Sequence, residues 1–593
     1  MQQDIIEKAE QWKKAAPEDA PEIQALIDSG NEKELFDRFY KDLSFGTGGL
    51  RGVIGAGTNR MNSSVVAMAT QGFASYITAA FGNDSKKRGV VIACDSRRKS
   101  DEFALETALV FCGNAIKTYL FDSLRPTPEL SFAVRHLDCC AGVVITASHN
   151  PPEYNGYKAY WEDGGQLVPP HDKGVIQEVR KISGMNDVKK ISKAEAVSQG
   201  ILKIISEEVD VPYYEAIQTL IVRPDLCRKW GGEIKIVYSP IHGTGNVPVR
   251  ESLRRAGFTN VHIVEEQEKP DGEFPTVEYP NPEERDAMAL SLKKGAEIDA
   301  DIVFATDPDS DRMAIAAKDS SGEFRLYNGN QIGSMLAYYI FKSKKENGTL
   351  PDNGALIKTI VTTELQKEIA ESFGVKSFDV LTGFKYIGEK ILEFEKKRDS
   401  GEDSYEYLFG GEESFGYLAG TFVRDKDAVI ACTLAAEVSA YAKEKGISVG
   451  EFLDEIYAEY GLYREDLEYI VYKGAEGSQK IKSLMEKLRK EVPSSIKGAD
   501  LIEYRDYKTS RIYGPDGGEK GKIDLPVSDV LSFFFSDGTK ITARPSGTEP
   551  KIKFYFSVKV DCGKEDIKDK KKESDAKLSS VVKEFLYMVK QGE

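Results

Sequence analysis

Several short stretches of this chain hold residue types able to do chemistry, spaced closely enough to act from one loop each. The first runs Thr146-Ala-Ser148-His149-Asn-Pro-Pro-Glu-Tyr-Asn-Gly-Tyr-Lys158. It follows a Val/Ile run, and its two prolines bar it from continuing as strand or helix. Ser148 offers a hydroxyl that could serve as a nucleophile or cap a turn. No Gly-x-Ser-x-Gly pattern surrounds it, so the elbow of a serine hydrolase is excluded. His149, adjacent in an extended loop, is expected to point away from it. The second stretch, Asp307-Pro-Asp309-Ser-Asp311-Arg312, also follows a strand pattern. Residues two apart in an extended segment share a face, so three carboxylates would converge there and require a cation. A calcium loop needs Gly at its sixth position and Glu at its twelfth; Arg312 and Lys318 stand there instead. A hard ion such as Mg²⁺, with a position left for an anionic ligand, is the better match.

Three further stretches complete the set. Glu412 and Ser414 lie in Gly410-Gly-Glu-Glu-Ser-Phe-Gly-Tyr, followed by Arg424-Asp-Lys426-Asp427. Carboxylate and hydroxyl groups on such a loop can read sugar hydroxyls, or cap it. Arg544-Pro-Ser546-Gly547-Thr548 combines a guanidinium, two hydroxyls and a glycine amide suited to wrapping a phosphate. Phe45-Gly-Thr47-Gly-Gly-Leu-Arg51 is glycine-rich but lacks the Lys-Ser/Thr of a nucleotide P-loop. Taken singly, each is a turn. Together they describe phosphoryl transfer on a polyhydroxylated substrate without a nucleotide. A phosphorylated Ser148 would add about −1.5 to −2 charge beside three aspartates, which is repulsive unless a divalent cation bridges them.

These loops need scaffolding. Short Val/Ile-rich runs at Gly89–Cys94, Ala141–Thr146, Ile234–Tyr238, Asp301–Thr306 and Ala355–Val361 alternate with longer helical patterns. Such runs predict strands buried on both faces, in repeated α/β domains. Toward the C-terminus, runs at 527–535, 540–545 and 551–560 predict an antiparallel meander, and a Lys-rich amphipathic helix follows, giving a smaller α+β domain. The residues before Gly46 are expected to form a helix packed on the first domain. The uncharged stretch Met61–Asn83 contains too many polar residues for a lipid core and predicts a buried helix.

Composition narrows the function classes. The 593 residues carry 80 basic and 96 acidic side chains, a formal charge of −16, which disfavours nucleic acid as a partner. Seven cysteines, with no Cys-x-x-Cys pair, predict reduced core thiols. The first residues have neither basic leader nor apolar block, so the expectation is a cytoplasmic protein with no membrane association.

In their order and span, the motifs around Ser148, Asp307–Arg312, Glu412–Ser414, Arg544–Thr548 and Gly46–Arg51 resemble those of the α-D-phosphohexomutase superfamily, in its phosphoglucomutase branch, which includes phosphopentomutase-like enzymes. The resemblance implies an α/β fold, with three similar mixed-sheet domains and a C-terminal α+β domain around a central cleft. The corresponding boundaries are 1–207, 208–322, 323–460 and 461–593. It implies Ser148 as a phosphoserine that also contacts the metal, and Asp307, Asp309 and Asp311 as Mg²⁺ ligands. Lys158 and Lys426 match proton-transfer or electrostatic partners, with Arg51 and His149 close by. Arg312 would neighbour the transferring phosphate, and Thr47 and Arg424 would touch substrate. Thr382, Gly383, Glu412 and Ser414 would face the sugar, while Arg544, Ser546, Gly547 and Thr548 would clamp the distal phosphate. The implied reaction interconverts glucose 1-phosphate and glucose 6-phosphate, with glucose 1,6-bisphosphate as intermediate and activator, in a monomer or homodimer. Phosphopentomutase and phosphomannomutase activities, a metal-dependent sugar phosphatase and a sugar-phosphate sensor are the alternatives.

Overall fold

A computed structural model describes residues 2–46, 48–319, 321–472, 475–546 and 551–591. Apolar runs at the expected places form β2 (Val90–Cys94), β4 (Ala141–Ile145), β7 (Ile236–Ser239), β9 (Ile302–Thr306) and β12 (Gly354–Thr359), each wholly buried. The first sheet adds β1 (Gly49–Val53), β3 (Thr118–Phe121), β5 (Tyr154–Trp161) and β6 (Leu202–Ile205), in the order β1-β5-β4-β2-β3-β6. Here β4, β2, β3 and β6 run parallel, while β5 is antiparallel to β4 and β1 antiparallel to β5, so the sheet is mixed. The second sheet repeats this plan with β8 (Val261–Ile263), β10 (Met313–Lys318) and β11 (Phe324–Tyr327), in the order β11-β10-β9-β7-β8.

Two units divide the chain, Met1–Gly329 with Phe384–Val449, and Asn330–Gly383 with Gly450–Glu593. The first holds both sheets above and an antiparallel pair, β14 (Glu406–Gly411) and β15 (Tyr417–Ala419). The second holds β12 with its parallel neighbour β13 (Lys376–Val380). It also holds the C-terminal sheet: β16 (Leu462–Val471), β17 (Ser495–Ile496), β18 (Ala499–Asp506), β19 (Arg511–Tyr513), β20 (Glu519–Lys522), β21 (Leu531–Phe535), β22 (Lys540–Pro545) and β23 (Lys551–Val560). The expected meander is β21-β22-β23. It forms the middle of a longer path, β16-β23-β22-β21-β18-β19-β20, with the helix Ile567–Lys590 packed on one face through Leu578, Val582 and Phe585.

The residues before Gly46 form three α-helices rather than one: α1 (Gln2–Ala15), α2 (Ala20–Asp28) and α3 (Glu32–Phe39). Pro17 and Pro21 break the pattern at helix starts, and Asn31 caps α3 by accepting from the Glu34 amide. Trp12, Ile23 and Phe39 join the core of the first sheet with Leu50, Ala56 and Met61. Of these, a buried Ile, Leu, Met or Phe side chain contributes roughly 1.5–3 kcal/mol. Arg38 secures the join by pairing with Glu22 at 2.5 Å and Glu34 at 2.8 Å while donating to the Ala56 carbonyl. The uncharged stretch forms α4 (Ser63–Phe81), buried along most of its length as expected, and no helix among the described residues is long and apolar enough to cross a membrane. All seven cysteines are free, six of them buried.

Candidate active site

The loops that leave β4 and β9 at their C-terminal ends meet each other, which is where open α/β sheets place ligands. Ser148, 4% exposed, donates from Oγ to Asp307 Oδ2 at 2.8 Å. Its backbone is left-handed, φ 53°, with its amide tied to Thr146 Oγ1 at 2.8 Å. This twist also brings His149 Nδ1 to 3.1 Å from Ser148 Oγ, against the expectation that an extended loop would send the imidazole away.

The acidic loop is likewise a turn and not an extended segment. Ser310 is left-handed at φ 52°, and Asp307 Oδ1 accepts from the amides of Asp311 and Arg312. The three carboxylates converge because the chain wraps around Asp307, and not because alternate residues of an extended segment share a face. Pro308 is seated against the Pro240–Gly245 segment, with Thr244 donating from both its amide and its hydroxyl to the Pro308 carbonyl. A Cβ on Gly243 would stand 2.4 Å from Pro308 Cα, so only glycine permits this approach.

Carboxylate oxygens of Asp307, Asp309 and Asp311 lie within 4.8 Å of one another, the only such acidic or ligand-bearing cluster among the described residues. Lys158 Nζ lies 2.7 Å from Asp309 Oδ2 and 2.9 Å from Asp311 Oδ2; Lys426 Nζ lies 3.3 Å from Asp311 Oδ2 and 3.1 Å from Asp425 Oδ1. Asp309 Oδ1 is buried with no partner, and Asp311 Oδ1 has only Arg312 Nε, at 3.9 Å. Burial and the two neighbouring aspartates push the Asp307 carboxyl well above its ordinary range. Asp311 is held low because Lys158, Lys426 and Arg312 outweigh its burial. Burial pulls Lys158 down, but Asp309 and Asp311 prevail and raise it to about 12; Lys426 is raised by Asp311 and Asp425 in the same way. His149 is held neutral by burial and by Arg312 and Arg51.

Glu412 and Ser414 sit beside this cluster. Gly416 bridges to Arg312, and the Phe415 carbonyl accepts from the Met313 amide at 3.1 Å. A Cβ at Gly416 would meet the Lys426 stem at 2.1 Å, so this glycine clears the path of the lysine. Arg312 pairs with Glu283, and Arg51 donates to Asn150 Oδ1 at 3.2 Å. Arg424 does not open toward these groups: fully buried, it pairs with Glu395 at 2.5 Å and donates to the Thr421 carbonyl.

Thr382, Gly383, Arg544 and Ser546 belong to the second unit. Arg544 stands opposite Lys553 across β22 and β23, and the Ser546 amide donates to the Lys551 carbonyl at 2.7 Å. Thr47, Gly547 and Thr548 lie outside the described residues.

Sequence reasoning passed over Asp425, which holds Lys426 and accepts from Tyr160 Oη and Gln166 Nε2, and Thr127, which donates to Asp309 Oδ2 at 2.7 Å. It also passed over Arg97, whose guanidinium reaches four carbonyls of the Ser148 loop. Asp95-Ser-Arg97 leaves the C-terminal end of β2 just as the other loops leave β4 and β9, and that position was the available signal.

Comparisons with known proteins place the chain in a family. Residues 42–185, 211–322 and 328–460 match domains I, II and III of phosphoglucomutase/phosphomannomutase, each described as alpha/beta/alpha. A phosphoglucomutase of Staphylococcus haemolyticus is 36% identical over 540 residues, covering 91% of this chain and 94% of that protein. A human phosphopentomutase is 35% identical over 584 residues, covering 95% and 92%. Among solved structures, a phosphoglucomutase/phosphomannomutase family protein from Burkholderia thailandensis shares the fold, with TM-score 0.64, 18% identity and 92% and 98% coverage. Fold and relatives together define a mutase, an enzyme of the isomerase class. The chain belongs to the α-D-phosphohexomutase superfamily, with three α/β domains followed by a C-terminal domain.

Proposed function

We propose that the protein interconverts glucose 1-phosphate and glucose 6-phosphate through a phosphorylated Ser148. The observation that carries this reading is the 2.8 Å contact of a buried, left-handed serine with a buried three-carboxylate loop. The unpartnered Asp309 oxygen and the elevated Asp307 carboxyl fit a hard divalent cation such as Mg²⁺. Asp307, Asp309 and Asp311, with an oxygen on Ser148, would hold it. When bound, it supplies positive charge that a phosphoserine beside three aspartates requires.

The protein's own groups do the rest. In the first half-reaction the P–O bond to Ser148 breaks as one forms to a sugar hydroxyl; that hydroxyl gives up its proton and Ser148 Oγ regains one. The bisphosphate turns over, and the second half-reaction reverses these changes at the other end of the sugar. Lys158 and Lys426, kept charged by their aspartates, are suited to act as fixed positive charges on the moving phosphoryl rather than as general bases. Glu412 and Ser414 read sugar hydroxyls, while Arg544 and Ser546, in the second unit, carry a guanidinium and a hydroxyl of the kind that binds phosphate, and Thr382 and Gly383 are the sugar-facing pair of that unit. We place Arg424 behind the site as support for its loop.

The similar identity to a phosphopentomutase keeps a second reading in view, ribose 1-phosphate as the preferred substrate. Coupled assays on the glucose and ribose 1-phosphates, with Mg²⁺ and a trace of the matching bisphosphate, separate the two. Faster glucose turnover, abolished by Ser148→Ala, is the expected result. Ribose preference would transfer the assignment, and activity surviving Ser148→Ala would sink the phosphoserine route.

A further inference from the structure

We propose that Arg97 is a positioning residue for phosphoryl transfer: it holds the Ser148 loop in the left-handed turn that aims Oγ at the acidic loop. This rests on the reading of Ser148 as the phosphoryl carrier. The Arg97 side chain is fully buried, yet only one acid, Asp95, pairs with it, at 3.4 Å from Nε. Its other hydrogen-bond partners are backbone carbonyls of residues 148–154. Nη2 donates to Ser148 O at 2.5 Å and to Asn150 O; Nη1 donates to Pro151 O at 2.8 Å and to Tyr154 O at 3.0 Å.

A buried guanidinium is costly unless its charge and its donors are met. Polar carbonyls at a loop surface could take hydrogen bonds from water instead. The arrangement therefore gives a planar fork of donors the task of fixing four carbonyls at once, the first belonging to the nucleophile itself. That residue is a non-glycine at φ 53°, a conformation that persists only where its surroundings dictate it.

The fork is itself anchored from both sides. Asp95 Oδ1 accepts from the Arg97 amide at 2.9 Å and from Ser100 Oγ at 2.7 Å. The Phe274 ring lies under the guanidinium, with its centroid 5.0 Å away. Phe274 sits on the 269–276 segment, where the Lys269 carbonyl and Thr276 Oγ1 engage the two ring nitrogens of His242, next to the Gly243–Thr244 seat of Pro308. One continuous support thus reaches both the serine loop and the acidic loop.

Arg97→Lys provides the test, because an ammonium keeps the charge but cannot span four carbonyls. A small misplacement of a nucleophile costs on the order of 10²-fold in rate. The expectation is therefore a kcat lower by about 10²-fold, KM for the sugar phosphate within about threefold, and amide exchange of residues 148–154 faster by at least tenfold, with β2 and β4 unchanged. Arg98→Met, at the exposed neighbour paired with Glu273, is expected to change neither reading. If Arg97→Lys yields no folded protein, Phe274→Leu keeps the arginine and loosens its seat, and a smaller shift in both readings is expected. Wild-type kcat together with wild-type exchange in the folded variant overturns the proposal, as does faster exchange without loss of kcat. Incubation of wild type with glucose 1,6-bisphosphate tells the two readings apart. If no phosphate appears on Ser148 by intact mass, the phosphoserine reading fails, while the exchange data still decide whether Arg97 holds the loop.

Discussion

Each unit buries two lysines among carboxylates, and the two clusters differ in what they leave over. In the second unit, Lys358 Nζ lies 3.1 Å from Glu364 and 2.9 Å from Asp379, and Lys540 Nζ lies 2.6 Å from the same Glu364 oxygen. The lysines outweigh burial and hold Glu364 far below its ordinary range, while Asp379 and Glu364 raise Lys358. Arg505 also reaches Asp379, at 4.0 Å, so two acids meet three cations and no acid is left over. In the first unit, Lys158, Lys426 and Arg312 face four acids, Asp309, Asp311 and Asp425 with Asp307 alongside. Acid is in excess there, one carboxyl is driven up and one oxygen is unpartnered. Buried charge density alone therefore does not mark an ion site; an unmatched remainder does.

The largest expected effect tests that remainder. Asp309→Asn should lower mutase turnover about 10³-fold in saturating Mg²⁺, the scale on which lost electrostatic stabilisation of a transition state is measured. Retained turnover would mean that the excess acid has no catalytic use. Glu364→Gln tests the closed cluster. It leaves two buried lysines short of an anion and should cost about 3–5 kcal/mol, read from urea midpoints, with Mg²⁺ affinity within about twofold of wild type. A large loss of Mg²⁺ affinity in that variant would break the comparison.

A smaller effect concerns Asp427, behind the first cluster, where burial outweighs its bonds to Tyr213 and two amides and pushes it up to about 6 from 3.8. Between those values the unfolded chain has released a proton that the folded protein keeps. Stability falls with rising pH there, by up to about 1.4 kcal/mol per pH unit, and the penalty is complete above the folded value. Asp427→Asn should flatten that slope between pH 4 and 6 in urea titrations; an unchanged slope would show the acid to be ionised throughout. Smallest is the response of the intact protein to metal. Mg²⁺ at 100 times its dissociation constant should add about 2.7 kcal/mol of stability. A rise in Tm that is reversed by chelator and absent in Asp309→Asn is expected.

What was legible in the sequence follows from this contrast. The five strand runs could be read because burial on both faces demands continuous apolar residues, and Ser148 and the aspartates could be read because unusual chemistry was concentrated in few positions. Arg97 could not be read, since its partners are carbonyls, which every residue carries, and only folding brings those four to one guanidinium. The division into three helices before Gly46 lies in Pro17 and Pro21, which start helices as readily as they break them. The resemblance gave Arg424 to the substrate; Glu395, 29 residues earlier on the helix Phe384–Asp399, claims it instead.

The left-handed backbone at position 148 has an implication for the choice of alcohol. Serine and threonine present the same hydroxyl, and many phosphorylated sites accept either. A β-branched side chain at φ 53° would press its extra methyl against the backbone of its own turn. The conformation that aims this oxygen thereby discriminates against the secondary alcohol, so the protein is committed to a primary one through the shape of its main chain.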